Sequence, residues 1–285
     1  MGMATRTAIQ QAEAGADSDD ELGVLEQFFL SAETEVEPCN ADDDKCASGV
    51  NAADDADELL ELASTLFHSP VRVRQRRKQG IAHQLWPAAT FLCRYLESNP
   101  DVITRAAGGK ALTDIRALEL GAGLGLTGLF AAAMGIGHVV LTDLPEVCDQ
   151  LRANIRLNEI GNSHVRAAPL AWGTDDVDGD AVAGGCDLVL AADCVYWEAL
   201  FAPLEDTLAW LTRRGAVVLM AHVRRWKRDA RFFKQCRRRM HVEVLHESVE
   251  HSTGTPGPCD DGAEEMAGEG ASRCVMRIYR MSAIQ

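Results

Sequence analysis

Apolar and polar positions change period several times along the chain, and each change marks an element. Val71-Arg72-Val73-Arg74-Gln75-Arg76-Arg77 alternates with period two, as a half-buried strand does, and opens the folded part. Pro87, directly after Trp86, suits the first turn of a helix, and Ala88, Ala89, Phe91, Leu92, Tyr95 and Leu96 then recur at helical spacing. The runs over 115–120, 187–192 and 215–221 are mostly apolar and do not alternate, which predicts strands covered on both faces. Between them the spacing predicts helices over 127–134, 144–158 and 199–211, with shorter strands at 138–142 and 164–168. Two further strands are expected at 241–247 and 273–281. Strand and helix alternate throughout, so the expected architecture is α/β with a mostly parallel sheet between two helical layers.

The stretch 120–142 contains no Asp, Glu, Lys or Arg and is long enough to cross a bilayer. Six glycines interrupt it, at 121, 123, 125, 128, 135 and 137, so it reads as strand, glycine turn, helix, glycine turn and strand. The start of the chain lacks the apolar core of a signal peptide, and no membrane association is expected. At 285 residues with 47% hydrophobic positions, the chain suits one α/β domain with appendages, and a monomer is expected.

The formal net charge of −15 describes an acidic protein only on average. Residues 1–68 hold 17 Asp and Glu against Arg6 and Lys45, whereas 69–285 carry 26 acidic and 26 basic residues. We expect a mostly disordered acidic extension over 1–58, a folded domain over 59–285 and a flexible acidic loop over 252–271. Nine basic residues fall within 224–239, where Phe232, Phe233, Cys236 and Met240 predict an amphipathic helix. That helix is either a solvated outer face or a contact for an acidic protein, RNA or the acidic extension. The nine cysteines include no Cys-x-x-Cys pair, so neither a disulfide framework nor a metal site is expected; reduced thiols fit a cytoplasmic or nuclear protein.

Candidate chemistry centres on Glu119-Leu120-Gly121-Ala122-Gly123-Leu124-Gly125-Leu126-Thr127-Gly128, at the first strand-to-helix turn of the sheet. Glycines there permit positive φ and let a cofactor approach the backbone. Gly123, Gly125 and Gly128 also satisfy the dinucleotide spacing, so glycines alone do not choose between a nicotinamide cofactor and S-adenosylmethionine. Glu119 favours the latter, because a carboxylate beside the turn can receive a cationic amino-acid end but repels a pyrophosphate. Asp143, ending the next strand, can accept ribose hydroxyls of either.

Several blocks together resemble the seven-strand protein-lysine methyltransferases, the methyltransferase-like group with an Asp-x-x-Tyr motif after the fourth strand. They are Gly80-Ile81-Ala82 with Leu85-Trp86-Pro87-Ala88-Ala89; the glycine block; Leu141-Thr142-Asp143-Leu144; Asn154-Ile155-Arg156-Leu157-Asn158; Leu170-Ala171-Trp172-Gly173; and Ala191-Ala192-Asp193-Cys194-Val195-Tyr196. The resemblance implies a Rossmann-like seven-strand S-adenosylmethionine-dependent methyltransferase with an antiparallel last strand, acting on a lysine of a non-histone protein. It further implies a cofactor pocket lined by Trp86, Gly121, Ala122, Gly123, Asp143, Trp172 and Ala192, with Glu119 behind it. Asp193 and Tyr196 would then be catalytic, Asp193 orienting the incoming lysine and Tyr196 walling its channel. Pro87 stands where many members have Asp. The nucleic-acid relatives' Asn-Pro-Pro-Tyr is absent, which argues against adenine methylation. A small-molecule or RNA methyltransferase and a non-catalytic protein of this fold remain the alternatives, and by itself Asp193 also reads as a helix cap.

Overall fold

The computed structural model describes residues 57–161, 163–173, 182, 184–252 and 272–284. The expected extension over 1–58 and loop over 252–271 lie almost wholly outside them. A hairpin of β1 (Glu58–Leu62) and β2 (Val71–Gln75) comes first, with Leu60 opposite Val73 and Leu62 opposite Val71. The folded part therefore begins ahead of the alternating strand and of residue 59, because Leu60, Leu62 and Phe67 pack on the core and Asp57 binds Arg76 at 2.6 Å. On β2, Val71, Val73 and Gln75 are buried while Arg72 and Arg74 turn outward, as the period-two pattern requires.

Helices α1 (Pro87–Ser98) and α2 (Asp101–Ala106) lead into β3 (Arg116–Leu120), α3 (Leu126–Ala133), β4 (His138–Asp143), α4 (Cys148–Arg156) and β5 (His164–Pro169). The chain continues through β6 (Leu188–Ala192), α5 (Phe201–Arg213), β7 (Val217–Arg224), α6 (Asp229–Cys236), β8 (Met240–Ser252) and β9 (Ser272–Ala283). Pro87 occupies the first turn of α1 with Trp86 at its N-cap position. The helix expected from 144 starts at Cys148, because Pro145 first forms a short 3-10 turn.

Strands β3 to β9 make one seven-stranded sheet in the order β5-β4-β3-β6-β7-β9-β8. All pairs are parallel except those of β9, which runs antiparallel to β7 and β8. The mostly apolar strands serve two cores. In β6, Leu188 and Leu190 face the layer of α1, α3 and the hairpin, whereas Val189 and Ala191 face α5 and α6. From β3 the chain moves outward to β4 and β5, then returns to place β6 on the other side of β3. This reversal opens a crevice at the carboxyl ends of β3 and β6, where open α/β sheets bind ligands.

Candidate functional site

Register aligns the site. Leu120 pairs with Thr142 on one side and Ala191 on the other, so Gly121, Asp143 and Ala192 follow at one edge of the sheet. Gly121 and Gly123 take φ of +57° and +51°, a left-handed backbone that costs a residue with a Cβ about 1–2 kcal/mol. A Cβ at Gly121 would stand 2.9 Å from Trp172 Cζ2 and 3.2 Å from Cys194 Sγ; one at Gly123 would stand 3.1 Å from the Ala82 carbonyl oxygen. The bare backbone of 121–123 is therefore roofed by Trp172 on one side and by the segment before α1 on the other. At Gly128 the requirement differs: a Cβ would collide with Leu141 Cδ2, so this glycine lets α3 close onto β4.

Asp143 braces the turn. Its carboxylate accepts from Gly123 N at 2.8 Å and from Leu144 N at 2.8 Å, and burial raises its pKa. One lone pair on each oxygen remains available, a donor set that fits two ribose hydroxyls. Glu119 sits beneath the turn, 2% exposed, accepting from Gly128 N at 2.9 Å. Burial pushes its carboxyl up to about 8, against the opposing pull of the Gly128 N–H.

The hairpin positions the roof. Asn154, fully buried on α4, accepts from Arg74 N and donates to Leu124 O, both at 2.9 Å, so one side chain ties β2 to the glycine turn. One helical turn on, Asn158 accepts from Arg72 N at 2.7 Å and donates to Arg72 O at 2.8 Å. Asn158 lies two residues past the end of α4, and the Asn-x-x-x-Asn spacing leaves both amides on the same side, where they hydrogen-bond β2 as a neighbouring strand would. Gln75 then accepts from Leu85 N, and Trp86 Nε1 donates to Ile81 O at 2.9 Å, setting the Trp86 ring at the entrance.

Asp193 follows β6 with φ of +60°, the single positive φ outside glycine among the described residues. It caps no helix: a 3-10 turn over Glu198–Leu200 intervenes before α5 opens at Phe201. Its amide donates to Ala221 O at 3.0 Å, and its oxygens accept two parallel bonds from Arg225, at 2.7 and 2.6 Å. Both side chains are buried, at 3% and 7% exposure. Sequence patterning places Arg225 on an amphipathic helix over 224–239. The helix instead spans Asp229–Cys236, Arg224 ends β7, and the intervening turn drives Arg225 inward. Asp229 holds that turn by accepting from Arg225 N and Trp226 N at 3.1 and 3.2 Å, with His222 Nε2 3.2 Å from the same oxygen. The guanidinium also lies 5.4 Å from the centre of the Trp86 ring. Tyr196 is half-buried beyond Cys194, and burial, followed by Cys194, Asp143 and Asp193, raises its phenol above the ordinary value.

The structure thus gathers Trp86, Gly121, Ala122, Gly123, Asp143, Trp172, Ala192, Asp193 and Tyr196 at one end of the sheet, with Glu119 underneath. Sequence reasoning alone does not single out Arg225, Ala82 or the asparagine clamp as parts of the site. Arg225 carries a signal nonetheless: it is a cation at the carboxyl end of β7, the edge where such sheets place substrate. Among the described residues no group of His, Cys, Asp and Glu is placed to hold a metal ion, and no helix is long and apolar enough to cross a membrane.

Residues 66–239 match the family described as Lysine methyltransferase. The chain is 36% identical over 185 residues to Protein N-lysine methyltransferase METTL21A of Danio rerio, covering 64% of this chain and 79% of that protein. It is 34% identical over 180 residues to Protein-lysine N-methyltransferase EFM6 of Saccharomyces cerevisiae, with 58% and 73% covered. Over 154 residues it is 37% identical to EEF1A lysine methyltransferase 3 of Mus musculus, with 54% and 61% covered.

Proposed function

The chain belongs to the lysine methyltransferase family and is an S-adenosylmethionine-dependent protein-lysine N-methyltransferase; from that premise we propose that it methylates a lysine of a non-histone cytoplasmic protein, with Asp193 and Tyr196 at the acceptor. The observation that carries the site assignment is the meeting of the glycine turn, Asp143 and the Asp193 segment at one edge of the sheet. The name of the mouse relative, which specifies EEF1A and no histone, supports a non-histone substrate for this chain too.

In this reading Asp143 receives the ribose hydroxyls, Trp172 offers a flat apolar wall to the adenine, and the bare backbone of Gly121, Ala122 and Gly123 admits the cofactor closely. Trp86 and Ala192 complete the lining, and Glu119 supports the turn from behind. S-adenosylmethionine, when bound, supplies the sulfonium methyl: a nitrogen–carbon bond forms to the lysine amine as the sulfur–carbon bond breaks. The chain's contribution is alignment, because an in-line displacement requires the acceptor held near-collinear with the bond it attacks. Asp193 accepts an N–H of the amine through a lone pair that Arg225 leaves free. Tyr196, its phenol kept protonated by burial, walls and hydrogen-bonds the amine but serves as no base, so the surplus proton leaves to water.

Calorimetry and radiolabelling test this reading. Asp143→Ala removes the charged acceptor of the ribose hydroxyls; one such hydrogen bond is worth about 1.5–3 kcal/mol, so adenosylmethionine binding should weaken by at least about 10- to 150-fold. Asp193→Asn should leave that binding within about twofold while abolishing tritium transfer into protease-sensitive, nuclease-resistant material of a cell extract. Undiminished binding by Asp143→Ala, or label confined to nuclease-sensitive material, would overturn it.

A further inference from the structure

The charge balance around Asp193 goes beyond alignment. A carboxylate placed alone at the mouth of a lysine channel attracts an ammonium, which has no lone pair with which to attack a methyl group. An opposite charge within about 4–6 Å stabilises a charged group by about 1–3 pKa units. Starting from about 10.4 for a free lysine, a bare Asp193 would deepen the shortage of neutral amine at pH 7.5 by about 10- to 1000-fold.

Here the carboxylate is not bare. Arg225 meets it with a two-pronged guanidinium at 2.7 and 2.6 Å in a site that excludes water from both partners. Among the described residues, Cys194 and Tyr196 on its own segment interact electrostatically with Asp193; Asp143 at the end of β4 interacts in turn with both of them, and the buried Glu119 with Cys194. Behind Arg225 stand Asp229, at the start of α6, and His222 on β7. Cys194 and Tyr196 both have raised pKa values and bring no positive charge, so among the described residues the cation seen paired with Asp193 is Arg225. Asp229 fixes the turn that carries Arg225, and the guanidinium reaches toward the Trp86 ring, joining the two walls of the entrance.

We propose that Arg225 is the positioning residue of the acceptor site: by engaging both oxygens of Asp193 it fixes the carboxylate's direction and cancels its charge, so that the lysine is received as a neutral amine instead of being held as an ammonium. The inference rests on the reading of Asp193 given above and adds a residue and an electrostatic role to it.

The test is the pH dependence of methyl transfer at saturating adenosylmethionine, measured as initial tritium incorporation into the protease-sensitive fraction of a cell extract from pH 6.5 to 11.5. Wild-type rates should level off near the lysine value of about 10.4, whereas Arg225→Met, with cofactor binding confirmed by calorimetry, should be at least about tenfold slower at pH 7.5 and keep rising beyond that value, so that a deficit of about tenfold narrows to about twofold by pH 11.5. Arg225→Lys, which keeps the charge without the fork, should show a smaller deficit that is constant with pH. A purely structural role gives a deficit that does not change with pH. That result, or no deficit at all, overturns the proposal. Should Arg225→Met lose cofactor binding, Arg225→Gln, which keeps a donor to Asp193 without charge, is read by the same criterion. Asp193→Asn in the same assay separates the two readings. Wild-type rates from it remove Asp193 from the acceptor site altogether, whereas an inactive Asp193→Asn beside an Arg225→Met with a pH-independent deficit removes only the role of Arg225.

Discussion

Replacing Glu119 with glutamine removes one titration from the core and keeps the shape. The carboxyl accepts from Gly128 N at 2.9 Å beneath the glycine turn, and burial lifts its pKa from an ordinary 4.5 to about 8. An acid with a raised pKa in the fold binds its proton more tightly folded than unfolded. Its contribution to stability is therefore complete below pH 4.5 and declines as the pH rises through about 8. At about 1.4 kcal/mol per pH unit, the interval from pH 5.5 to 8 is worth on the order of 3 kcal/mol. The amide introduced by Glu119→Gln can accept the same backbone bond with its carbonyl and carries no charge to desolvate, so the variant has no such slope. Urea unfolding without cofactor at pH 5.5 and 8.5, extrapolated to water for both proteins, yields the difference in slope. The variant should gain on wild type by on the order of 3 kcal/mol between the two pH values. Parallel declines, or a wild type that is equally stable at both, would refute the view that a protonated Glu119 underlies the turn.

Two further perturbations separate cofactor approach from scaffolding. Gly121→Ala imposes a left-handed backbone cost of about 1–2 kcal/mol and a methyl 2.9 Å from Trp172, so calorimetry should find adenosylmethionine affinity reduced at least about tenfold; unchanged affinity would mean the turn gives no close approach. Asn154→Ala strips partners from Arg74 N and Leu124 O at about 1–3 kcal/mol each, so stability should fall by about 2–6 kcal/mol and the Arg74 amide should lose hydrogen-exchange protection; an Arg74 amide as protected as before would contradict the clamp.

Much of this architecture is legible in the sequence because it rests on local physics. Buried strands show as mostly apolar runs without alternation, a half-buried strand as alternation, and a glycine turn as a composition that no helix or strand tolerates. Each of these is decided by neighbours a few residues away. The glycine turn, Asp143 and the segment from Asp193 to Tyr196 are recognisable as candidates for that reason. The hairpin strand β1 is not: Glu58-Leu59-Leu60-Glu61-Leu62 continues an acidic stretch, and its apolar residues gain burial only when β2 and the core meet them. The basic segment misleads for a related reason. Its helical spacing is real over Asp229–Cys236, but a pattern of charges does not reveal which cation has a buried carboxylate waiting.

By itself, then, the sequence determined the alternation of elements, the parallel sheet, the chemistry offered at its carboxyl edge and the family to which those blocks belong. Tertiary structure decided the partnerships. Asp193 and Arg225 are 32 positions apart, Arg74 and Asn154 are 80 apart, and nothing in either local segment announces the other. Register between β6 and β7 brings the first pair to bonding distance and the packing of α4 against β2 the second; removal from water then gives each contact its strength, because a charge or amide without its partner is costly only once it is buried.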